Sequence, residues 1–155
     1  MIALDTNLLV YANRRDLEWH STAVDVVNRA LEGSEPVGLC WPVVHEFIAV
    51  VSNPRLFADP TPLDRSLAHV EHWMSSPVVT PLRETASHLA TLRRLTVRGR
   101  VSGGAVHDAR IAAICLDNGV RELWTADRDF TRFPDLAVRN PLITSSGQLD
   151  DEGST

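Results

Sequence analysis

"MIALDTNLLV", residues 1–10, changes secondary structure within a single short stretch. The apolar run before Asp5 reads as a β-strand with Asp5 at its carboxyl end. "TNLLVYANR" then starts a helix, which Thr6 or Asn7 can cap through a side-chain oxygen. A second stretch repeats the pattern: "LWTADRDF", residues 123–130, sets Asp127 and Asp129 just past another short apolar run. Working outward, Ala23, Val26, Val27, Ala30 and Leu31 recur at helical spacing, and "EGSEP" ends that helix. "VGLCW" is a short strand closed by Pro42, a residue suited to the first turn of the next helix, "VVHEFIAVVSN". Beyond the proline-punctuated loop "PRLFADPTP", Leu63, Leu67, Val70 and Met74 mark a fourth helix, "VVT" a strand, and Glu84 to Val97 a fifth helix. Gly99, Gly103 and Gly104 break the chain before "AVHDARIAAICLDNG", a helix ended by Gly119. "ELWT" and "LAVRN" are the last two strands. Strands alternating with helices predict an α/β fold: a parallel-rich central sheet of about four to five strands flanked by helices on both faces. One domain is expected over residues 1–143, with 144–155 a polar, disordered tail.

Composition removes several function classes. A net charge of −5 does not suit a nucleic-acid binder of the usual basic kind. All fifteen positive residues are Arg, so no mechanism that needs a lysine is available. That disfavours receiver domains and haloacid-dehalogenase-like phosphatases, both of which place acids at strand ends but require a lysine. No apolar run approaches the ~20 residues of a membrane span, and the first residues read as a strand rather than a signal peptide, so a soluble, cytoplasmic protein is expected. Cys40 and Cys115 match no metal or redox spacing and read as reduced, buried small hydrophobes.

Four acids stand where burial should forbid them. Asp5 and Asp127 end strands, and in an open parallel sheet such ends gather at the crevice where ligands bind. Asp108 shares a helix face with Ala105, Ala112 and Cys115, and Glu46 shares one with Val43, Ala49 and Val50. Each could pair with its own arginine; four such accidents at one sheet edge are the weaker account. At an effective dielectric of ~20 and spacings of ~6 Å, each carboxylate pair repels by about 3 kcal/mol. Six pairs would rival a domain's whole stability of roughly 5–15 kcal/mol, so the cluster calls for a divalent cation. All-oxygen ligands select Mg²⁺ or Mn²⁺ over zinc.

"ALDTNLLV", "HEFIAVV", "HDARIAA" and "TADRDF", in this order, resemble the PIN-domain ribonucleases, and among them the VapC toxins of toxin–antitoxin pairs. The resemblance runs from Met1 to about Ile143. It implies a Mg²⁺-dependent endoribonuclease, with Mn²⁺ able to substitute, that cuts RNA such as tRNA, rRNA or mRNA. It also implies a homodimer and inhibition by a VapB-type antitoxin. The matching acidic positions are Asp5, Glu46, Asp108 and Asp127, with Asp5 and Asp108 as principal metal ligands. Glu46 and Asp127 would serve a second ion or act through water. Thr6, Thr125 and Asp129 match supporting positions, and whether Asp127 or Asp129 faces the metal stays open. Arg93, Arg94, Arg98 and Arg100 in "TLRRLTVRGR" are candidates for RNA phosphates or a solvated helix face. His45 and His107 each precede a proposed acid, which raises a metal-independent histidine ribonuclease as an alternative. Helix neighbours point ~100° apart, however, so adjacency does not put imidazole and carboxylate in one pocket. Trp19, Trp41, Trp73 and Trp124 could stack on bases or pack in the interior. A catalytically silent PIN-fold binding module is the non-enzymatic alternative.

Overall fold

The structure, a computed structural model, describes residues 1–143. The expected polar tail over 144–155 lies outside the described residues. In chain order the elements are β1 (Ile2–Leu4), α1 (Thr6–Asn13), α2 (His20–Glu32), β2 (Val37–Cys40), α3 (Trp41–Val51), α4 (Leu63–Met74) and β3 (Val79–Leu82). They continue with α5 (His88–Arg98), α6 (Ala105–Asp117), β4 (Glu122–Trp124), a 3-10 turn over Arg128–Arg132, and β5 (Ala137–Arg139).

The sheet order is β3-β2-β1-β4-β5, and every neighbouring pair is parallel. From β1 the chain steps outward to β2 and β3, then returns across β1 to β4 and β5. Right-handed crossovers therefore put α1 to α4 on one face and α5 with α6 on the other. The packing of α1 on α2 and α3, of α3 on α4, and of α5 on α6 agrees. A reversal of direction beside β1 opens a crevice at the carboxyl ends of the strands. α3 starts directly after β2, and α6 leads back into β4, so the first turns of both helices lie at that same edge.

Burial explains the strand sequences. β1 and β2 are covered on both faces and are buried at every position, which favours continuous apolar runs over alternation. Gly38 in β2 has a packing reason: a Cβ there would come within 2.5 Å of Leu82 Cδ1. Pro81, which has no N–H for a ladder, sits in the edge strand β3. Phe47 of α3 is fully buried and meets Trp73 of α4 edge-on at 4.9 Å. Cys40 and Cys115 are free and buried, with sulfurs 3.8 Å apart. No helix of the described residues is long and apolar enough to cross a membrane.

Three local expectations need correction. Helix α5 begins at His88 rather than Glu84, because Thr85 holds the preceding residues in a turn through its carbonyl and hydroxyl. On α4 the buried face is Ser66, Val70 and Trp73, while Leu63 and Leu67 stay exposed. Neither Thr6 nor Asn7 caps α1, since the helix already begins at Thr6. Both side chains are used elsewhere.

Candidate active site

Asp5, Glu46, Asp108 and Asp127, drawn from four separate segments, line one open hollow of about 260 Å³, together with Thr6, Asn7, Tyr11 and Phe130. No Arg lines this hollow, and no ion pair involves any of the four acids among the described residues. The premise of full burial holds only for Asp5, which is 4% exposed. Asp108 is half-buried, while Glu46 and Asp127 face solvent. Glu46 is thus not on the core-facing stripe of α3, whose buried residues are Val43, Val44, Phe47 and Val51.

Hydrogen bonds fix the floor. Thr125, almost fully buried, donates from Oγ1 to Asp5 Oδ2 at 2.6 Å and accepts from the Asp127 N–H at 2.9 Å. Thr6 donates to Glu46 Oε2 at 2.7 Å, tying α1 to α3 beside the acids. Asp127 caps the 3-10 turn by accepting the Asp129 N–H at Oδ1, 2.8 Å. Between the two alternatives left by sequence, Asp127 lines the hollow, whereas Asp129 is exposed and pairs with Arg132 at 3.4 Å.

Asn7 also lines the hollow, although sequence reading takes it only as a cap. Its Nδ2 donates to Asp5 Oδ2 at 2.6 Å and lies 2.8 Å from Thr125 Oγ1, and its Oδ1 accepts the Ala126 N–H at 3.0 Å. An amide carries two N–H donors beside its acceptor oxygen, so Asn7 can reach Asp5 and Thr125 while holding the Ala126 N–H, where a hydroxyl has a single proton to give. The signal was available in the run Asp5-Thr6-Asn7, polar throughout at the end of a buried strand. Replacing Asn7 with Ala leaves the Ala126 N–H without its partner, at a cost of about 1–3 kcal/mol. Thermal melting should show a drop of roughly 2–10 °C; an unchanged melting temperature would contradict this bridging role.

The electrostatics record the crowding. Burial pushes the Asp5 carboxyl up to about 6, helped by the charges of Glu46 and Asp127, while hydrogen bonds from Thr125 and Thr6 pull it back down. Asp108 is also raised, first by burial and then by Asp127, Asp129 and Glu46. The donor set is all oxygen and carries excess negative charge, which fits a hard dication. Among the described residues no three His, Cys, Asp or Glu side chains form a ready-made metal cage. Mg²⁺ does not need one, because it takes one or two carboxylates and keeps several waters.

The arginine candidates divide. Arg94 and Arg98 are committed to Asp135, the latter at 2.9 Å. Arg93 and Arg100 are exposed and make no ion pair among the described residues.

The PIN domain family matches residues 2–136 of this chain. The chain belongs to the PIN-domain family. A VapC ribonuclease of Mycobacterium bovis is 36% identical over 142 residues, covering 92% of this chain and 96% of its own length. Ribonuclease VapC48 of Mycobacterium tuberculosis is 31% identical, covering 89% and 95%. The fold matches VapBC2 from Rickettsia felis, bound to a DNA fragment from its promoter, with a TM-score of 0.64 at 17% identity, over 90% of this chain and 98% of that one. It also matches VapC20 of Mycobacterium tuberculosis, a Sarcin-Ricin loop cleaving toxin, with a TM-score of 0.63 at 19% identity, over 84% and 93%.

Proposed function

We propose that this PIN domain is a divalent-metal-dependent endoribonuclease and the toxin of a VapBC-type toxin–antitoxin pair. One observation carries the reading: acids from four distant segments share a single solvent-open hollow that no arginine neutralises. Asp5 and Asp108 would hold Mg²⁺, with Mn²⁺ able to stand in, and Glu46 and Asp127 would orient water around it. Such an ion, when bound, supplies Lewis-acid charge to the phosphate and lowers the pKa of attacking water.

The chain's own groups prepare this chemistry. Thr125 and Asn7 both bond Asp5 Oδ2 and so fix the carboxylate plane. Thr6 holds Glu46 over the hollow, and the 3-10 turn holds Asp127. Fixed side chains avoid reorganisation during in-line attack, which leaves a 5′-phosphate and a 3′-hydroxyl. Arg93 and Arg100 remain the freer candidates for RNA phosphates.

The partner is proposed to be a VapB-type antitoxin, since structures of this fold include toxin–antitoxin complexes. The exposed Leu63 and Leu67 on α4, and Leu89 and Val97 on α5, offer apolar surface for an antitoxin or for a second copy in a homodimer.

The test is RNA cleavage with Mg²⁺ or Mn²⁺. EDTA should stop it, and the fragments should carry 5′-phosphates. Activity that persists in EDTA and leaves 2′,3′-cyclic ends would replace this reading with a histidine ribonuclease. No cleavage of any RNA would favour the silent binding module.

A further inference from the structure

The acidic hollow does not end at Glu46 and Asp108. These two side chains also line a second open hollow of about 380 Å³, with Pro42 and His45 from the α3 side and Gly104 and His107 from the α6 side. That volume lies within the ~300–1,000 Å³ common for small-ligand pockets. Arg110 also borders it but is committed to Glu84, through Nε at 2.9 Å. No unpaired guanidinium is therefore left there to hold a phosphate. What remains is two imidazoles, each with ring nitrogens able to donate or accept, between apolar Pro42 and Ile111. The space beside Gly104 is open, since a Cβ there would meet nothing within 4 Å.

Trp41 is not in the lining itself but stands beside His45, which is. It lies one turn before His45 on α3, the two ring centroids being 5.8 Å apart with a 37° tilt. Among the four tryptophans, Trp73 is buried and Trp19 and Trp124 are half-buried, whereas Trp41 is 41% exposed. An exposed indole beside two imidazoles and no free cation suits an uncharged, flat heterocycle better than an anion.

We propose that this second hollow is a nucleobase subsite, in which Trp41 stacks on an unpaired base next to the cut and His45 and His107 hydrogen-bond its edge. The inference rests on the nuclease reading of the neighbouring acids, because Glu46 and Asp108 are walls shared by both hollows. A strand with its phosphate at the acids would put the adjacent base here. Only a splayed base offers a free face to an indole, so single strands and loops would be the substrates and paired helices would be spared.

The test is equilibrium binding of a short fluorescein-labelled single-stranded oligoribonucleotide to the full chain, read by anisotropy. Ca²⁺ replaces Mg²⁺ to fill oxygen ligands, and a gel verifies that the RNA stays intact. Trp41→Ala should weaken binding about tenfold, and Trp41→Phe should restore most of it, because any aromatic face stacks. An abasic nucleotide at one position should weaken wild type by at least that factor and Trp41→Ala by clearly less, since only the imidazole bonds are then left to lose. His107→Ala, on the opposite wall, should lose affinity without losing the abasic effect. Equal affinities of wild type and Trp41→Ala would overturn the subsite, as would equal losses in the Ala and Phe variants. Wild type that shows this binding pattern yet cleaves nothing with Mg²⁺ would support the subsite while defeating the nuclease reading. Cleavage with unaltered Trp41→Ala affinity would do the reverse.

Discussion

Replacing Asp108 with Asn is expected to lower RNA cleavage by at least about a hundredfold, since even groups that only orient a metal's ligands cost 10–100-fold when removed. The substitution keeps size and shape while removing one charge. Asp108 is half-buried and pressed by Asp127, Asp129 and Glu46, so its charge is unfavourable to the apo protein. Asn should therefore not destabilise the fold, and a rate loss with an intact melting curve would locate the effect in chemistry. Retained cleavage within about threefold of wild type would remove Asp108 from the proposed site.

The second large effect is on stability, and its sign depends on pH. In the folded chain Asp5 titrates near 6, above its ordinary value of 3.8. Such a group leaves stability intact below the unfolded pKa and removes it as pH rises through the folded pKa. The metal-free protein should lose stability between about pH 4 and 6 and then level off, by on the order of 3 kcal/mol from this group. Asp5→Asn cannot ionise and can still accept from Thr125 and Asn7 through its remaining oxygen. Without divalent metal the variant should be more stable than wild type at pH 7.5, by up to roughly that amount, and nearly equal to it at pH 4. Denaturant melts at the two pH values measure this. A variant less stable than wild type at both would mean that the Asp5 charge is compensated within the chain.

The sheet was legible because each strand is short, apolar and bounded by turn residues, and strand–helix alternation leaves few topologies. That Asp5 and Asp127 share one hollow was legible for a geometric reason: strand ends in a parallel sheet converge. Glu46 lines the hollow although it is exposed and lies off the core-facing stripe. Its helix is apolar nearly all round, so periodicity could not tell the core face from the face that borders the crevice. Asn7 was hidden because Asp-Thr-Asn before a helix looks like a cap, and only the neighbouring β4 end reveals the second use of its amide. The pairing of Arg94 and Arg98 with Asp135 crosses some forty residues, beyond any local pattern. Likewise, Leu63 and Leu67 fit helical spacing yet stay exposed, because spacing shows that an apolar stripe exists but not what covers it.

The central claim, that Asp5, Glu46, Asp108 and Asp127 form one dication site, is tested most directly by melting the protein across a Mn²⁺ titration at pH 7.5. Binding to the folded state alone adds about 2.7 kcal/mol at a hundred times the dissociation constant, or roughly 5–10 °C for a chain of this size. The account predicts such a rise for wild type and its loss in both Asp5→Asn and Asp108→Asn. An equal rise in all three proteins, or none in wild type, would contradict it.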